Sequence, residues 1–232
     1  MTSIDRSVIS RLPLFAGLGP ADLDDVLRDA RSLRVEKNAP VFEQGAEAVS
    51  FFLLLHGHVR AAKTTPDGHQ MVVRYVSAGE IFGVAPAIGL SRYPATATAV
   101  ADSVVLAWPS ARWTELTSRY PTIAAGAMQT IGARLQEAHT RIIEMTTEEV
   151  ERRVAHALLR LAKQAGRKIE KGIEIDFPIS RQDLAEMTGT TLHSVSRVLS
   201  AWERSGLVEG GRQRIVLADP HGLFELANKP AD

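Results

Sequence analysis

Ile-Ser-Arg-Gln-Asp-Leu-Ala-Glu-Met-Thr-Gly-Thr-Thr-Leu-His-Ser-Val-Ser-Arg-Val-Leu, residues 179–199, decides how this chain is read. Ser180 can cap a first helix whose inner face carries Leu184, Ala185 and Met187, and Gly189 supplies the backbone freedom that a tight turn between helices needs. A second helix starts near Thr191. On it Val195, Val198, Leu199 and Trp202 fall on one side, and His193, Ser196 and Arg197, at i, i+3 and i+4, on another. Ala185, Gly189 and Val195, four and then six residues apart, suit a close helix crossing, a turn and a buried anchor. One side packs and the other is polar, the pattern of a helix-turn-helix that reads DNA.

The chemistry of the polar side fits base edges. Arg197 is the natural bidentate partner of guanine O6 and N7, and Ser196 and His193 can contact neighbouring bases. Ser180, Arg181, Gln182, Thr191 and Ser194 sit at or near helix N-termini, where N–H groups and hydroxyls favour phosphate oxygens and fix register. Beyond the second helix, residues 207–217 suggest a turn and a short β-wing, with Arg212 and Arg214 either set towards a phosphate or simply solvated.

Working outward, the 232 residues are 45% hydrophobic, enough for one large or two ordinary cores. Basic and acidic residues number 27 each, and the first 120 residues hold twelve of each, so no half is basic enough to coat nucleic acid indiscriminately. Specific binding then calls for a few placed contacts, doubled by a second copy of the reading helix. The absence of cysteine excludes disulfides, thiolate-held zinc, cysteine-ligated iron–sulfur clusters and thiol redox sensing. No apolar run is long enough to span a membrane, and the first nine residues lack a signal-type pattern, so a cytoplasmic location is expected.

Upstream, Pro20 opens an amphipathic helix with Leu23, Val26 and Leu27 inward. From about residue 31 to 110 short β-branched and aromatic runs are punctuated by Gly45, Gly57, Gly68, Gly79 and Gly83, the spacing of turns in a β-barrel-like unit. Residues 121–146 turn helical, with Ala124, Met128, Ile131, Leu135, Ala138, Ile142 and Met145 separated alternately by four and three, a coiled-coil seam suited to a parallel homodimer. A helix over about 148–165, with Val150, Val154, Leu158 and Leu161 inward, leads into the helix-turn-helix. The fold class is α+β. The expected domains are an N-terminal helix and β-roll over 1–120, a dimerisation helix over 121–146 and a winged helix-turn-helix over 147–232.

This order of elements resembles the CRP/FNR family of bacterial transcription regulators over nearly the whole chain. The marks are Glu-Gln-Gly at 43–45, His-Gly-His-Val at 56–59, Ala-Gly-Glu-Ile-Phe-Gly at 78–83, Ala-Thr-Ala-Thr-Ala at 95–99, and the Ser-Arg-Gln-Asp-Leu-Ala and Val-Ser-Arg segments. The resemblance implies a cyclic-nucleotide-binding-type β-roll, double-stranded DNA as target, homodimerisation and contact with RNA polymerase. Members that bind cyclic AMP carry a glutamate where this chain has Val84 and an arginine near Pro94-Ala95. Without that carboxylate and guanidinium, cyclic AMP is not expected as the effector.

Residues 92–99 and 190–197 look like the NnrR branch, whose members respond to nitric oxide. That likeness implies a palindromic operator with TTG and CAA half-sites, with His193 standing where other branches carry glutamate. A cysteine-free nitric-oxide sensor implies haem, whose iron needs an axial donor. Tyr93 and His139 are the candidates, each with an ordinary structural alternative as packed aromatic and solvated helix residue. An enzyme using Ser194 or Ser196 with His193 and Asp183 is not expected, because one exposed helix face cannot shelter nucleophile, base and oxyanion site together. A cyclic-nucleotide-responsive regulator, or a ligand-binding module serving a partner enzyme, are the remaining alternatives.

Overall fold

The computed structural model describes residues 6–229, so residues 1–5 and the three C-terminal residues lie outside the described residues. In chain order the elements are α1 (Arg6–Ile9), α2 (Pro20–Leu27), β1 (Arg31–Val35), β2 (Pro40–Phe42), β3 (Ser50–His56), β4 (Val59–Thr64), β5 (Gln70–Val76), β6 (Ile81–Phe82), β7 (Thr96–Ala99) and β8 (Ser103–Pro109). There follow α3 (Arg112–Arg119), α4 (Pro121–Thr147), α5 (Val150–Ala165), β9 (Gly166–Ile169), β10 (Gly172–Ile175), α6 (Arg181–Thr188), α7 (Leu192–Arg204), β11 (Val208–Gly211), β12 (Arg214–Leu217) and α8 (Pro220–Asn228). By packing, residues up to 64 together with 74–137 form one compact unit, and residues 65–73 together with 138–229 form a second.

The β-strands before α3 make two four-stranded sheets, ordered β1-β8-β3-β6 and β2-β7-β4-β5. β3 is apolar at every position from Phe51 to Leu55 because it is buried on both faces. Phe51 and Leu53 join Leu106 and Trp108 of the paired strand β8 in a cluster with Leu23 and Val26 of α2, Leu116 of α3 and Ile123 and Ala127 of α4. Phe52 and Leu54 point the other way and meet Val59, Phe82, Tyr93, Ala97 and Val105. Period-two alternation thus divides one strand between two cores. Phe51 lies opposite Trp108 in the ladder with rings stacked at 5.4 Å, and the indole Nε1–H donates to the Val26 carbonyl at 2.7 Å.

The five glycines singled out from the sequence all adopt positive φ, between +68° and +89°. Gly57 shows why no other residue serves: a Cβ there would lie 2.7 Å from the Asp102 carbonyl oxygen and 2.9 Å from the Ser103 Cα, both backbone atoms.

α4 is a 27-residue helix of about 40 Å. Its first turns bury Ile123 and Ala127 in the β-sheet core. Along another stripe Met128, Leu135 and Ile142 stand 73%, 54% and 59% exposed. In the second unit α5 turns Val154, Ala155, Leu158 and Leu161 inward, and a sheet ordered β11-β12-β10-β9 flanks the helices. The β9–β10 hairpin and α3 are elements that the sequence reading did not place.

Candidate nucleic-acid interface

Local chemistry builds the α6–α7 pair as its sequence suggests. Ser180 caps α6: its hydroxyl accepts from the Asp183 N–H at 3.0 Å, and the Asp183 carboxylate accepts from the Ser180 N–H at 2.8 Å, a reciprocal capping box. α6 ends at Gly189 with φ +61°, and both Gly189 and Thr190 N–H groups return to the Ala185 carbonyl. Arg153 of α5 donates through Nε to the Thr188 carbonyl at 3.0 Å, holding the last turn of α6 against the neighbouring helix. Thr191 then caps α7 by accepting from the Ser194 N–H at 3.1 Å, and its hydroxyl lies 3.0 Å from that of Ser194.

Seating α7 is the work of its apolar side. Val195, Leu199 and Trp202 are at most 2% exposed, Val198 is also buried, and Trp202 Nε1–H donates to the Glu151 carboxylate at 2.8 Å. With that side fixed, Thr191, Leu192, His193 and Arg197 are exposed, and Ser194 and Ser196 half-buried. Arg197 borders a groove with Val198 and Ala201 whose other wall carries Glu148, Glu149 and Glu151. Gln182 is exposed at the start of α6, where its amide nitrogen bonds Glu186 at 2.9 Å.

The arginines divide into two kinds. Arg197 and Arg212 stand exposed, Arg212 in the turn between β11 and β12. Arg181 instead pairs with Glu203 of α7 at 3.0 Å. Arg214 pairs through Nε with Glu174 of β10, a carboxylate that Arg167 also reaches at 2.7 Å. The Arg214 hydrogen bond, backed by Arg167, holds the Glu174 carboxyl below its ordinary range. Glu174 and Glu203, which set the availability of two arginines, escaped sequence reasoning: they lie 40 and 22 residues from their partners, and no local periodicity links them. The one cue to them was glutamate content inside a supposed DNA-binding segment.

The two suggested haem ligands do not behave alike. Tyr93 is 4% exposed, its hydroxyl donating to the Ser50 carbonyl at 2.6 Å and accepting from the Ser50 N–H at 3.2 Å. Its ring stacks on Phe42 at 3.9 Å, and Phe42 continues to Phe52 and Phe82 at 5.5 and 6.0 Å. Burial pushes the phenol above its usual range, away from a phenolate that could ligate iron. This setting does not fit haem ligation by Tyr93. His139 exposes its imidazole on α4, and the described residues contain no cluster of three or more histidine, aspartate or glutamate side chains able to hold a metal ion. Val84 is buried, and Arg92, two positions before Pro94, donates to the Gly45 carbonyl at 2.6 Å.

This chain matches the cyclic nucleotide-binding domain over residues 32–120 and the Crp-like helix-turn-helix domain over residues 152–226. It is 31% identical over 215 residues to a cyclic AMP receptor protein of Thermus thermophilus, covering 93% of this chain and 96% of that one. The chain belongs to the Crp/Fnr family of transcription regulators. A further relative is the transcriptional activator protein FnrA of Stutzerimonas stutzeri, 24% identical over 95% of this chain and 90% of its own. In fold the regulator is similar to FixK2 of Bradyrhizobium japonicum, with a TM-score of 0.75 at 22% identity over 87% of this chain and 99% of that one. The α6–α7 pair is therefore the helix-turn-helix of a DNA-binding regulator whose N-terminal part is of the effector-binding class. These relatives are regulators, in agreement with a non-enzymatic role. No helix among the described residues is long and apolar enough to cross a membrane.

Proposed function

We propose that the protein is a cytoplasmic, homodimeric regulator that binds a palindromic operator of the TTG/CAA type and responds to nitric oxide. In this reading residues 1–120 sense, 121–146 dimerise and 147–232 bind DNA. The observation that carries it is the pairing of an exposed apolar stripe on α4, Met128, Leu135 and Ile142, with an exposed polar face on α7, His193 and Arg197. Closing the stripe against a second copy presents two reading helices, and two major-groove helices must sit about 34 Å apart on one side of the duplex. Small rotations at such a seam change affinity, which couples effector to DNA and to the polymerase that reads the promoter.

Arg197 reads guanine, with Ser196 and His193 on neighbouring bases; Ser180, Gln182, Thr191, Ser194 and Arg212 take phosphates. Arg181 and Arg214 join them on exchanging Glu203 and Glu174 for phosphate oxygens. Nitric oxide as effector rests on the likeness of residues 92–99 and 190–197 to the NnrR branch. Haem would supply the nitrosyl-binding iron; with the Tyr93 hydroxyl engaged, His139 is the imidazole left to hold it. Protein purified without oxygen, given haem and then nitric oxide, tests this by absorption spectrum, alongside gel shifts on a TTG/CAA palindrome. One equivalent per subunit with a gas-dependent band, together with gas-dependent operator affinity, supports the reading. No saturable uptake removes haem, and operator binding indifferent to the gas removes nitric oxide.

The name of the Thermus thermophilus relative favours a second reading, a cyclic nucleotide as effector. The buried Val84 and the tethered Arg92 oppose it. Calorimetry with cyclic AMP separates the two.

A further inference from the structure

α4 and α5 are joined by Glu148 and Glu149. The Glu148 backbone carbonyl accepts from Arg153 Nη1 at 2.8 Å, and Nε of the same guanidinium donates to the Thr188 carbonyl in the last turn of α6 at 3.0 Å. Where Glu148 is placed, Arg153 and the end of α6 are placed with it. The Glu148 side chain is anchored on α5. Arg152 Nη2 donates to its Oε1 at 3.4 Å, and His156 Nε2 lies 3.4 Å from the same oxygen. Oε2 is buried and has no hydrogen-bond partner among the described residues. The carboxylate, 13% exposed, is thus held at one oxygen by two long contacts, a half-satisfied arrangement whose strength depends on the charge of its partners.

A guanidinium keeps its charge, whereas an imidazole gains and loses it between about pH 5 and 8. Other charged groups around this corner are committed elsewhere. Glu144, 7% exposed on α4, pairs with Arg160 at 2.5 Å. On the elements packed against α5, Asp183 and Glu186 of α6 bond Ser180 and Gln182, Glu203 of α7 and Glu174 of β10 hold Arg181 and Arg214, and His221 of α8 pairs with Glu225. Glu148 is the carboxylate that faces His156. We propose that Glu148 is a positioning residue for the reading helices, held most firmly when His156 carries a proton. Protonation turns the long contact into a charge-assisted one, which fixes Glu148, Arg153 and the end of α6. As pH rises through the imidazole range the hold weakens, and α6 and α7 are less well placed to meet DNA. This deepens the DNA-binding reading above and rests on it, though not on the effector.

The test is a pH profile of DNA affinity. A duplex is first selected from a random pool by the full-length wild-type protein, so that no operator is assumed, and Kd is followed by fluorescence anisotropy from about pH 6 to about pH 8. Over that range affinity should fall about three- to five-fold more in the wild type than in His156→Gln. Glu148→Gln and the double variant should share the shallower profile of His156→Gln, whereas His193→Gln, which alters the DNA face alone, should keep the difference. His156→Lys, charged throughout, should bind more tightly than His156→Gln at both ends of the range with an equally shallow profile, so the outcome does not hang on one variant folding. Equal profiles for wild type and His156→Gln, a steep profile retained by Glu148→Gln, or a loss of affinity uniform across pH overturns the proposal while leaving DNA binding by α6 and α7 in place. A wild type that selects no sequence overturns both.

Discussion

The indole N–H of Trp202 donates to the carboxylate of Glu151 at 2.8 Å, tying the last turns of the reading helix to the first turn of α5 across 51 residues. Trp202 is otherwise packed, so this bond fixes the rotation of α7 about its own axis and with it the direction of His193 and Arg197.

Trp202→Phe keeps an aromatic ring in the core and deletes the donor. The expected cost is about 1 kcal/mol of stability for the hydrogen bond, plus whatever the smaller ring leaves unfilled. Glu151→Gln, which retains an acceptor, should cost less. Thermal unfolding of both variants, read beside operator Kd, checks the ranking. Equal stability of Trp202→Phe and wild type would show the bond to be idle.

Arg197→Ala removes the exposed guanidinium of α7 without touching the buried side. Specific binding should weaken by about 1–3 kcal/mol and discrimination relax at one base pair per half-site. Nonspecific affinity at the same salt should move far less. A competition gel shift against single-base operator variants measures both, and unchanged discrimination would remove Arg197 from the reading set.

Arg214 is held by Glu174 of β10, so in the proposed reading a DNA phosphate must displace that carboxylate. Because Arg214 holds the Glu174 carboxyl below its ordinary range, the pair is intact at neutral pH and loosens only under acid, as the carboxylate takes up a proton. Glu174→Gln should free Arg214 for a phosphate at all pH values, raising nonspecific affinity several-fold and steepening the dependence of log K on log salt by about one per subunit. A filter-binding series across salt concentrations decides it; an unchanged slope would mean that Arg214 does not reach the backbone.

Tyr120 and Asp25 link α2 to the start of α4, the phenol donating to the carboxylate at 2.7 Å. That hydrogen bond, supported by Arg119 and Arg28 against the opposing effect of burial, lowers the Asp25 carboxyl below its ordinary range. A carboxyl depressed in the folded state stabilises above its unfolded value, about 3.9, and this contribution is lost as pH falls through the folded value. Tyr120→Phe should therefore unfold a few degrees lower than wild type at neutral pH, and the gap should close on acidification below about pH 4. A gap independent of pH would assign the loss to packing alone.

Much of this was legible because it is local. The Ser180 cap, the Gly189 turn and the Val195 to Trp202 stripe depend on residues within a few positions of each other, and the five turn glycines announce positive φ by themselves. What escaped depends on distant pairing. Tyr93 is engaged by Ser50, 43 residues away, and ringed by phenylalanines from β2, β3 and β6, a setting no window around Pro94 displays. The β9–β10 hairpin escaped for a related reason: Ile173 and Ile175 alternate over only four residues, and the strand is stabilised by pairing with β12 some 44 residues later.

α4 carries two apolar faces, and substitutions can tell them apart. Ile123 and Ala127 serve the β-sheet core, so polar replacements there should unfold the N-terminal unit. Leu135 and Ile142 are more than half exposed in the single chain, so Leu135→Arg with Ile142→Arg should leave the fold intact by circular dichroism. In a parallel seam those positions face their counterparts, and four buried guanidiniums without acidic partners cannot be accommodated. The double variant should therefore elute as a monomer with the light-scattering mass of one 25.2 kDa chain and lose operator binding by at least two orders of magnitude, since one reading helix cannot hold a palindrome. A variant that remains dimeric would place the interface elsewhere; one that is monomeric yet binds with wild-type affinity would sever dimerisation from DNA recognition.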